Sequence, residues 1–156
     1  MHWEIQSGRF PRDPRLGHRT GCGYSPVRRT EAVLNDLYMT CDGFVANTSS
    51  NPRSAYNSDQ ELIVILGGSV AMGLGASANE NTISAILERR IQTDFGKKYC
   101  VINAGCAAYC SWQEFIRFSL EISKLKPKHV ISLSSWNDFV HSSIGNRYNG
   151  EWVINH

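Results

Sequence analysis

Ser69 is the residue whose neighbours in the sequence best suit a catalytic role. It follows Gly67 and Gly68, and these follow five apolar residues, 62–66, of which three are β-branched. That run is too short for a helix and is typical of a strand buried on both faces. In open α/β sheets, ligands bind at the carboxyl ends of strands. Ser69 is therefore either a nucleophile or one more turn serine.

Two further predicted strands end in groups that suit acyl transfer, in which a hydroxyl attacks and donors hold the oxyanion. Gly105 follows the strand 99–103, and Asn137 follows the strand 129–133. A glycine N–H can approach a substrate closely because no side chain obstructs it, and the asparagine NH2 is a donor. Because parallel strands end at one edge of a sheet, we expect Ser69, Gly105 and Asn137 to lie together.

Strands and helices must alternate to position these residues. Apolar residues recur at helical spacing in 78–95 and in 111–125, between the three strands. Ser111 is expected as the N-cap of the second helix, with Glu114 completing a capping box. Alternation of this kind predicts an α/β fold with parallel strands and right-handed crossovers.

The first 60 residues follow a different pattern. Residues 1–27 are rich in Pro, Gly and Arg, which predicts an irregular surface segment. Within 28–44, two short apolar segments are separated by an Asn-Asp pair, which favours a β-hairpin. The predicted organisation is an N-terminal extension, 1–60, followed by an α/β domain, 61–156.

Composition limits the classes of function. The 156 residues suffice for one domain with a core. A net charge of +2 is too small to favour nucleic acid or an anionic membrane surface as a partner. No apolar run reaches the roughly 18 residues of a membrane helix. The N-terminus lacks the apolar segment of a secretory signal, so we expect a cytoplasmic location.

The cysteines predict neither a metal site nor a disulfide framework. There are five of them, an odd number, and no CxxC pair occurs. Cys100 and Cys106 flank a predicted buried strand, where free cysteine behaves as a small apolar residue. We expect no metal and no other cofactor.

Together, the three strand ends resemble those of the SGNH (GDSL-type) hydrolase superfamily, over about residues 61–140. GGSVAMGLG resembles the first block of that superfamily, INAG the second and WND the third. The resemblance implies that Ser69 is the nucleophile and that Gly105 and Asn137 hold the oxyanion beside the Ser69 N–H. It also implies a three-layer α/β/α sandwich with a flavodoxin-like parallel sheet. The substrate would be a small-molecule acyl ester, such as an acylated sugar or a lipid.

The sequence departs from the superfamily pattern at two places. Gly68 stands where an aspartate is usual, although GGS variants are familiar. The last block, an Asp and a His three residues apart, does not occur after Asn137. A sheet of order 2-1-3 would also leave the apolar strand 129–133 at an open edge, where such strands are unfavourable. We therefore expect this chain to be the N-terminal portion of a longer hydrolase.

No histidine of the sequence is assigned as the catalytic base. His129 begins a strand, at the far end from Ser69, and His141 is nearer to the expected active edge. Loss of a triad member typically lowers the rate by several powers of ten, so Ser69 alone should be a weak nucleophile. The other histidines lie in the leader or at the end of the chain: His2, His18 and His156.

Asp138 and three aromatic residues also lie near the expected active edge. We expect Asp138 to order its loop rather than to react. Tyr109, Trp112 and Trp136 could stack on a sugar, but their large apolar surfaces favour the core.

Two other functions remain open. A non-catalytic module would bind an acyl group or a glycan in the same pocket. A nucleotide-binding domain is the second alternative, because residues 67–75 are Gly-rich and follow a strand. That segment lacks the GxxxxGK[ST] motif, and Ala78 stands where a third glycine should be.

Overall fold

A computed structural model describes residues 33–34, 37–40, 42–49 and 59–143 of the chain. The strands in these ranges are Val33–Leu34 (β1), Leu37–Tyr38 (β2), Glu61–Gly67 (β3), Tyr99–Asn103 (β4) and His129–Leu133 (β5). The helices are Ser69–Met72 (α1), Ile83–Phe95 (α2), Ser111–Leu120 (α3) and Trp136–Ser143 (α4). Short 3-10 turns occur at Asn79–Asn81 and Ile122–Leu125.

The main sheet has three parallel strands, with β3 between β4 and β5. This confirms the α/β class, the parallel pairing and the strand order 2-1-3. The ranges of β4 and β5 are those predicted, and β3 extends the predicted run 62–66 by one residue at each end. Since Ile65 pairs with Asn103 and Gly67 pairs with Leu133, the carboxyl ends of the strands meet at one edge.

Helices cover both faces of β3. Val64 packs in a cluster with Ile122, which follows α3, whereas Ile65 packs with Leu87 and Ile91 of α2. Successive side chains of a strand point to opposite faces, so α2 and the end of α3 lie on opposite sides of the sheet. Residues 62–67 are all buried, which confirms the two-sided burial expected from the apolar run.

The described part of the N-terminal extension packs against the sheet. β1 and β2 pair in antiparallel fashion, which confirms the hairpin. Val45 forms an antiparallel bridge with Asn103 of β4. The fully buried Asn79 donates through Nδ2 to the carbonyl oxygens of Tyr38 and Ala46, at 2.9 and 2.6 Å. The hairpin segment is thereby fixed to the domain that carries the sheet.

The predicted boundaries of both helices were wrong at one end. The helix predicted for 78–95 begins at Ile83, because the Thr82 side chain accepts a hydrogen bond from its first turn. The residues before it form a 3-10 turn in which the Asn79 side chain is engaged by the hairpin segment. The helix predicted for 111–125 ends at Leu120 and gives way to a second 3-10 turn.

The capping box predicted for α3 was also wrong. The helix begins at Ser111, so the cap position is Cys110, and Gln113 Oε1 accepts from the Cys110 N–H at 3.1 Å. Glu114 is instead buried and accepts from the Ser132 hydroxyl at 3.0 Å. The predicted pair was displaced by one residue because Gln113, rather than Glu114, occupies the third helical position.

Strand β5 lies at an edge of the sheet and is exposed along its whole length. Val130, Ile131 and Leu133 expose 41, 36 and 38% of their surfaces, although their types are typical of a buried strand. The expectation of an apolar strand at an open edge is thus confirmed.

Some predictions concern residues outside the described ranges, namely the irregular segment 1–27 and the residues His2, His18, His156, Cys22 and Cys41. Cys100 and Cys106 are buried, as expected of small apolar residues, and Cys110 is buried as well. Within the described residues, no group of three His, Cys, Asp or Glu side chains is placed to hold a metal ion. None of the described helices has the length and apolar character needed to span a membrane.

Candidate functional site

Ser69 is the first residue of α1, directly beyond the carboxyl end of β3. The cap position belongs to Gly68, and the partly exposed Ser69 hydroxyl makes no hydrogen bond to any described residue. A turn or capping serine would accept a hydrogen bond from a nearby backbone N–H. Among the described residues, Ser69 has no such structural role.

Asn137 lies over the residue that precedes Ser69. A β-carbon at Gly68 would come within 2.6 Å of Asn137 Nδ2, so only a glycine leaves space for this amide. Asn137 Nδ2 also donates to the Tyr109 carbonyl oxygen at 2.7 Å. An amide NH2 carries two protons, and this bond uses one of them. The structure therefore brings Asn137 and Ser69 together, as the strand topology predicted.

Gly105 does not have the geometry that its expected oxyanion role requires. Its N–H donates to Asn103 Oδ1 at 3.0 Å, and the residue is buried. A β-carbon at this position would lie 2.4 Å from the Met72 nitrogen. The prediction is corrected on these grounds, because an N–H engaged inside the protein is not free to stabilise a substrate. The glycine is required by its close packing against the backbone of α1.

Ala108, three residues later, offers a donor that sequence analysis missed. It lies in an exposed turn with φ of +64°, a value uncommon for residues other than glycine. Its N–H has no acceptor among the residues that the structure describes. The carbonyl of the next residue, Tyr109, accepts from Asn137, so this turn lies beside the asparagine. No signal in the sequence marks Ala108, since alanine has no preference for left-handed turns.

Asp138 joins the beginning of α4 to the beginning of α3. Its two carboxylate oxygens each accept from the Ser111 N–H at 3.1 Å, and Oδ1 accepts from the Ser111 hydroxyl at 2.7 Å. Asp138 lies in a helix rather than in the expected loop, and its carboxylate holds the first turn of α3. It also fixes the neighbouring Asn137 relative to α3.

A second carboxylate, that of Glu114, holds the end of β5 against α3. Glu114 is only 4% exposed and accepts hydrogen bonds from the hydroxyl groups of Ser132 and Ser134. Its other oxygen, Oε1, is buried without a hydrogen-bond partner in the described part of the protein. The cap expected at Glu114 from the sequence gives no sign of this burial.

The aromatic residues near the site differ in their burial. Tyr109 is 1% exposed in a cluster with Cys106, and burial raises the pKa of its hydroxyl well above the ordinary value. Trp112 is partly buried. Trp136 is 72% exposed, and its ring lies 6.1 Å from that of the exposed Phe139. The core assignment is confirmed for Tyr109 and wrong for Trp136, which follows the uncovered edge strand.

None of the described side chains contacts the Ser69 hydroxyl as a base. His129 begins β5 and pairs in register with Ile63, at the end of the sheet remote from Ser69, as predicted. His141 belongs to α4, one turn after Asn137.

Comparisons with known proteins assign no family to the chain. No protein-family model matches it, and no curated protein is significantly similar to it. The function must therefore be argued from the geometry of the site.

Proposed function

We propose that this chain belongs to a serine ester hydrolase of the SGNH (GDSL) type, in which Ser69 is the nucleophile. The observation that carries the proposal is the Ser69 hydroxyl at the end of the central strand, which has no hydrogen-bond partner among the described residues and has the Asn137 amide close by. The three-stranded parallel sheet is compatible with a flavodoxin-like α/β/α sandwich, which we propose as the fold. No metal or other cofactor takes part in this chemistry.

In the proposed reaction, Ser69 Oγ attacks the acyl carbon of an ester and its proton passes to a base. The negative charge on the carbonyl oxygen is held by the Ser69 N–H and by the second N–H of Asn137. The Ala108 N–H takes the place first assigned to Gly105. The alcohol leaves, and the acyl group is then released to water or transferred to another alcohol. An acylated sugar or a lipid ester is the proposed class of substrate.

The proposal is tested with a fluorophosphonate, which phosphonylates nucleophilic serines. We expect labelling of the wild-type chain at Ser69, no labelling of Ser69→Ala, and unchanged labelling of Ser77→Ala, an exposed serine beyond α1. In Asn137→Ala the labelling rate should fall by roughly 10²- to 10³-fold, the usual effect of removing one oxyanion donor. Unchanged labelling of Ser69→Ala, or none of the wild type, would contradict the proposal.

A non-catalytic module that binds an acyl group or a glycan is the second candidate. It is favoured by the observation that no described side chain acts as a base to Ser69. In that case the wild-type chain would resist the fluorophosphonate, yet a fatty acid or an oligosaccharide would raise its melting temperature. Asn137→Ala should abolish this stabilisation, because the amide would be the main polar contact.

A further inference from the structure

We propose that Asn103 is a positioning residue, which holds the helix that carries Ser69 and the loop that carries Ala108 in one arrangement. Asn103 is the last residue of β4 and is fully buried. Its side chain bonds to Ala71, Ser84 and Gly105 and not to the Ser69 hydroxyl. Its effect on reactivity rests on the proposed role of Ser69, whereas its effect on the two segments does not.

The amide nitrogen of Asn103 holds the end of α1. Nδ2 donates to the Ala71 carbonyl oxygen at 2.9 Å and lies 3.4 Å from that of Met72. These are the last residues of a helix of only four, and a single helical turn is unstable by itself. The last carbonyl groups of a helix also need donors from elsewhere in the protein. Asn103 supplies such a donor from the neighbouring strand.

The amide oxygen of the same side chain holds the following loop. Asn103 Oδ1 accepts from the Gly105 N–H at 3.0 Å, and Gly105 packs against the backbone of Met72. Three residues further on, the same loop reaches Ala108. One side chain thus donates to the helix that carries Ser69 and accepts from the loop that carries Ala108. A side-chain amide suits this role because it carries an NH2 donor and a carbonyl acceptor on separate atoms of one neutral group.

The position of Asn103 is itself fixed by a buried polar network. Nδ2 also donates to Ser84 Oγ at 3.0 Å, which lies 3.1 Å from Thr82 Oγ1. The Thr82 hydroxyl donates in turn to the Asn79 carbonyl oxygen at 2.7 Å. Buried networks of this kind are rigid when every member is satisfied. The network therefore anchors Asn103 to α2 as well as to the site.

Asn103→Asp is the sharpest test, because it keeps the shape and the oxygen that faces Gly105 but replaces the donor that faces Ala71. The matched control is Asn79→Asp, because the Asn79 side chain faces the hairpin segment and only its backbone carbonyl belongs to the network. Asn79 is equally buried, and its amide donates to two carbonyl groups and accepts one N–H. Both variants should lose stability. Only Asn103→Asp should disturb the nucleophile helix.

The first measurement is backbone hydrogen exchange, which does not depend on any activity. In α1 and just beyond it, the N–H groups of Met72 and Leu74 donate to Gly68 and Ser69. Relative to the amides of β3, we expect their exchange to quicken at least about tenfold in Asn103→Asp, since the restraint on this turn is removed. In Asn79→Asp the ratio of the exchange rates in α1 to those in β3 should stay as in the wild type. Equal ratios in the two variants would overturn the proposal.

The second measurement is the rate of fluorophosphonate labelling at Ser69, corrected for the folded fraction. We expect a fall of about 10²-fold in Asn103→Asp, the usual cost of a small misplacement in a site, and less than about twofold in Asn79→Asp. If the wild type is not labelled, the proposed function fails and hydrogen exchange alone decides the positioning role. If the wild type and Asn103→Asp are labelled equally, the positioning role fails and the nucleophile stands.

Asn103→Ala and Asn79→Ala replace this pair if the aspartate variants do not fold. Alanine removes the amide without introducing a charge, so it is the milder change in a buried network. We expect the exchange rates in α1 and the labelling rate at Ser69 to change in Asn103→Ala and not in Asn79→Ala. Equal results for the two alanine variants would overturn the proposal.

Discussion

Position 68 requires a glycine because the Asn137 amide lies directly over it. Any side chain at this position would meet Asn137 Nδ2, which would lose its bond to the Tyr109 carbonyl or move away. The glycine that precedes Ser69 therefore has a local physical reason in this chain. The residue before the proposed nucleophile is matched to a side chain about 70 positions further along the sequence.

At the same scale, the Cys100 thiol should be unreactive in the folded protein. Burial, reinforced by the nearby Glu88 carboxylate, raises the pKa of Cys100 from its ordinary value of 9.0 to about 12. At pH 9.5 the folded protein should leave Cys100 unmodified by iodoacetamide, because the thiolate is the reactive form. The unfolded chain in urea should react at this position. Mass spectrometry of the Cys100 peptide reports both results.

The same pKa difference fixes the sign of its effect on stability. The pKa of Cys100 is higher in the folded protein than in the unfolded chain. The stability that comes from burying the neutral thiol is therefore fully present below pH 9 and is lost as the pH rises towards 12. Cys100→Ala should therefore show a shallower loss of stability across this range than the wild type. Rapid alkylation of Cys100 in the native protein at pH 9.5 would contradict the assigned environment.

At the scale of elements, strands were easier to predict than helix ends. The run 62–66 is apolar along its whole length, so a strand is predicted from these residues alone, without knowledge of their tertiary contacts. The start of α2 depends on Asn79, whose amide bonds to residues 33 and 41 positions earlier. Such long-range contacts leave no periodic signal in the sequence, and the start of α2 was therefore misplaced.

Asp138 should stabilise α3 in the way that an N-cap residue does. Its carboxylate accepts from both the N–H and the hydroxyl of Ser111 at the first turn. We expect Asp138→Ala to lower the free energy of unfolding by about 1–2 kcal/mol, the usual contribution of a cap. Urea unfolding followed by circular dichroism measures this difference.

The matched control for Asp138 is Asp94→Ala. Asp94 pairs with Arg90 on the exposed surface of α2, at 3.0 Å, and such pairs contribute about 0.5 kcal/mol or less. Faster hydrogen exchange in the first turn of α3 should accompany the loss in Asp138→Ala alone. Equal effects of the two substitutions would show that Asp138 is not a cap.

At the scale of the whole molecule, topology predicted the site only in part. Ser69 and Asn137 meet because parallel strands β3 and β5 end at the same edge, which any βαβ arrangement ensures. Gly105 follows β4 at that edge too, yet its loop turns inwards onto α1. Likewise β5 has the composition of a buried strand but an exposed position. Loop direction and burial depend on packing partners, which a local pattern does not specify.

Arg117 links distant parts of the molecule and was not singled out by sequence analysis. It is fully buried on α3 and donates to the Ala104 carbonyl at 2.8 Å and to the Gly43 carbonyl at 3.0 Å. Its guanidinium also lies 5.4 Å from the centre of the Phe44 ring. One cation thus joins the loop after β4 to the segment that follows the hairpin.

Arg117→Met should therefore destabilise the whole fold, although methionine fills much of the same volume. The carbonyl groups of Ala104 and Gly43 would be left buried without this donor, and the Glu121 carboxylate, 3.7 Å from Arg117 Nε, would lose its cation. Removing one member of a buried ion pair costs about 3–5 kcal/mol. Arg90→Met is the control, because the Arg90 side chain is 78% exposed beside Asp94 and should change stability by less than about 1 kcal/mol. Equilibrium urea unfolding measures both variants. If Arg117→Met kept the free energy of unfolding of the wild type, the buried cation would be a consequence of the fold rather than a source of its stability.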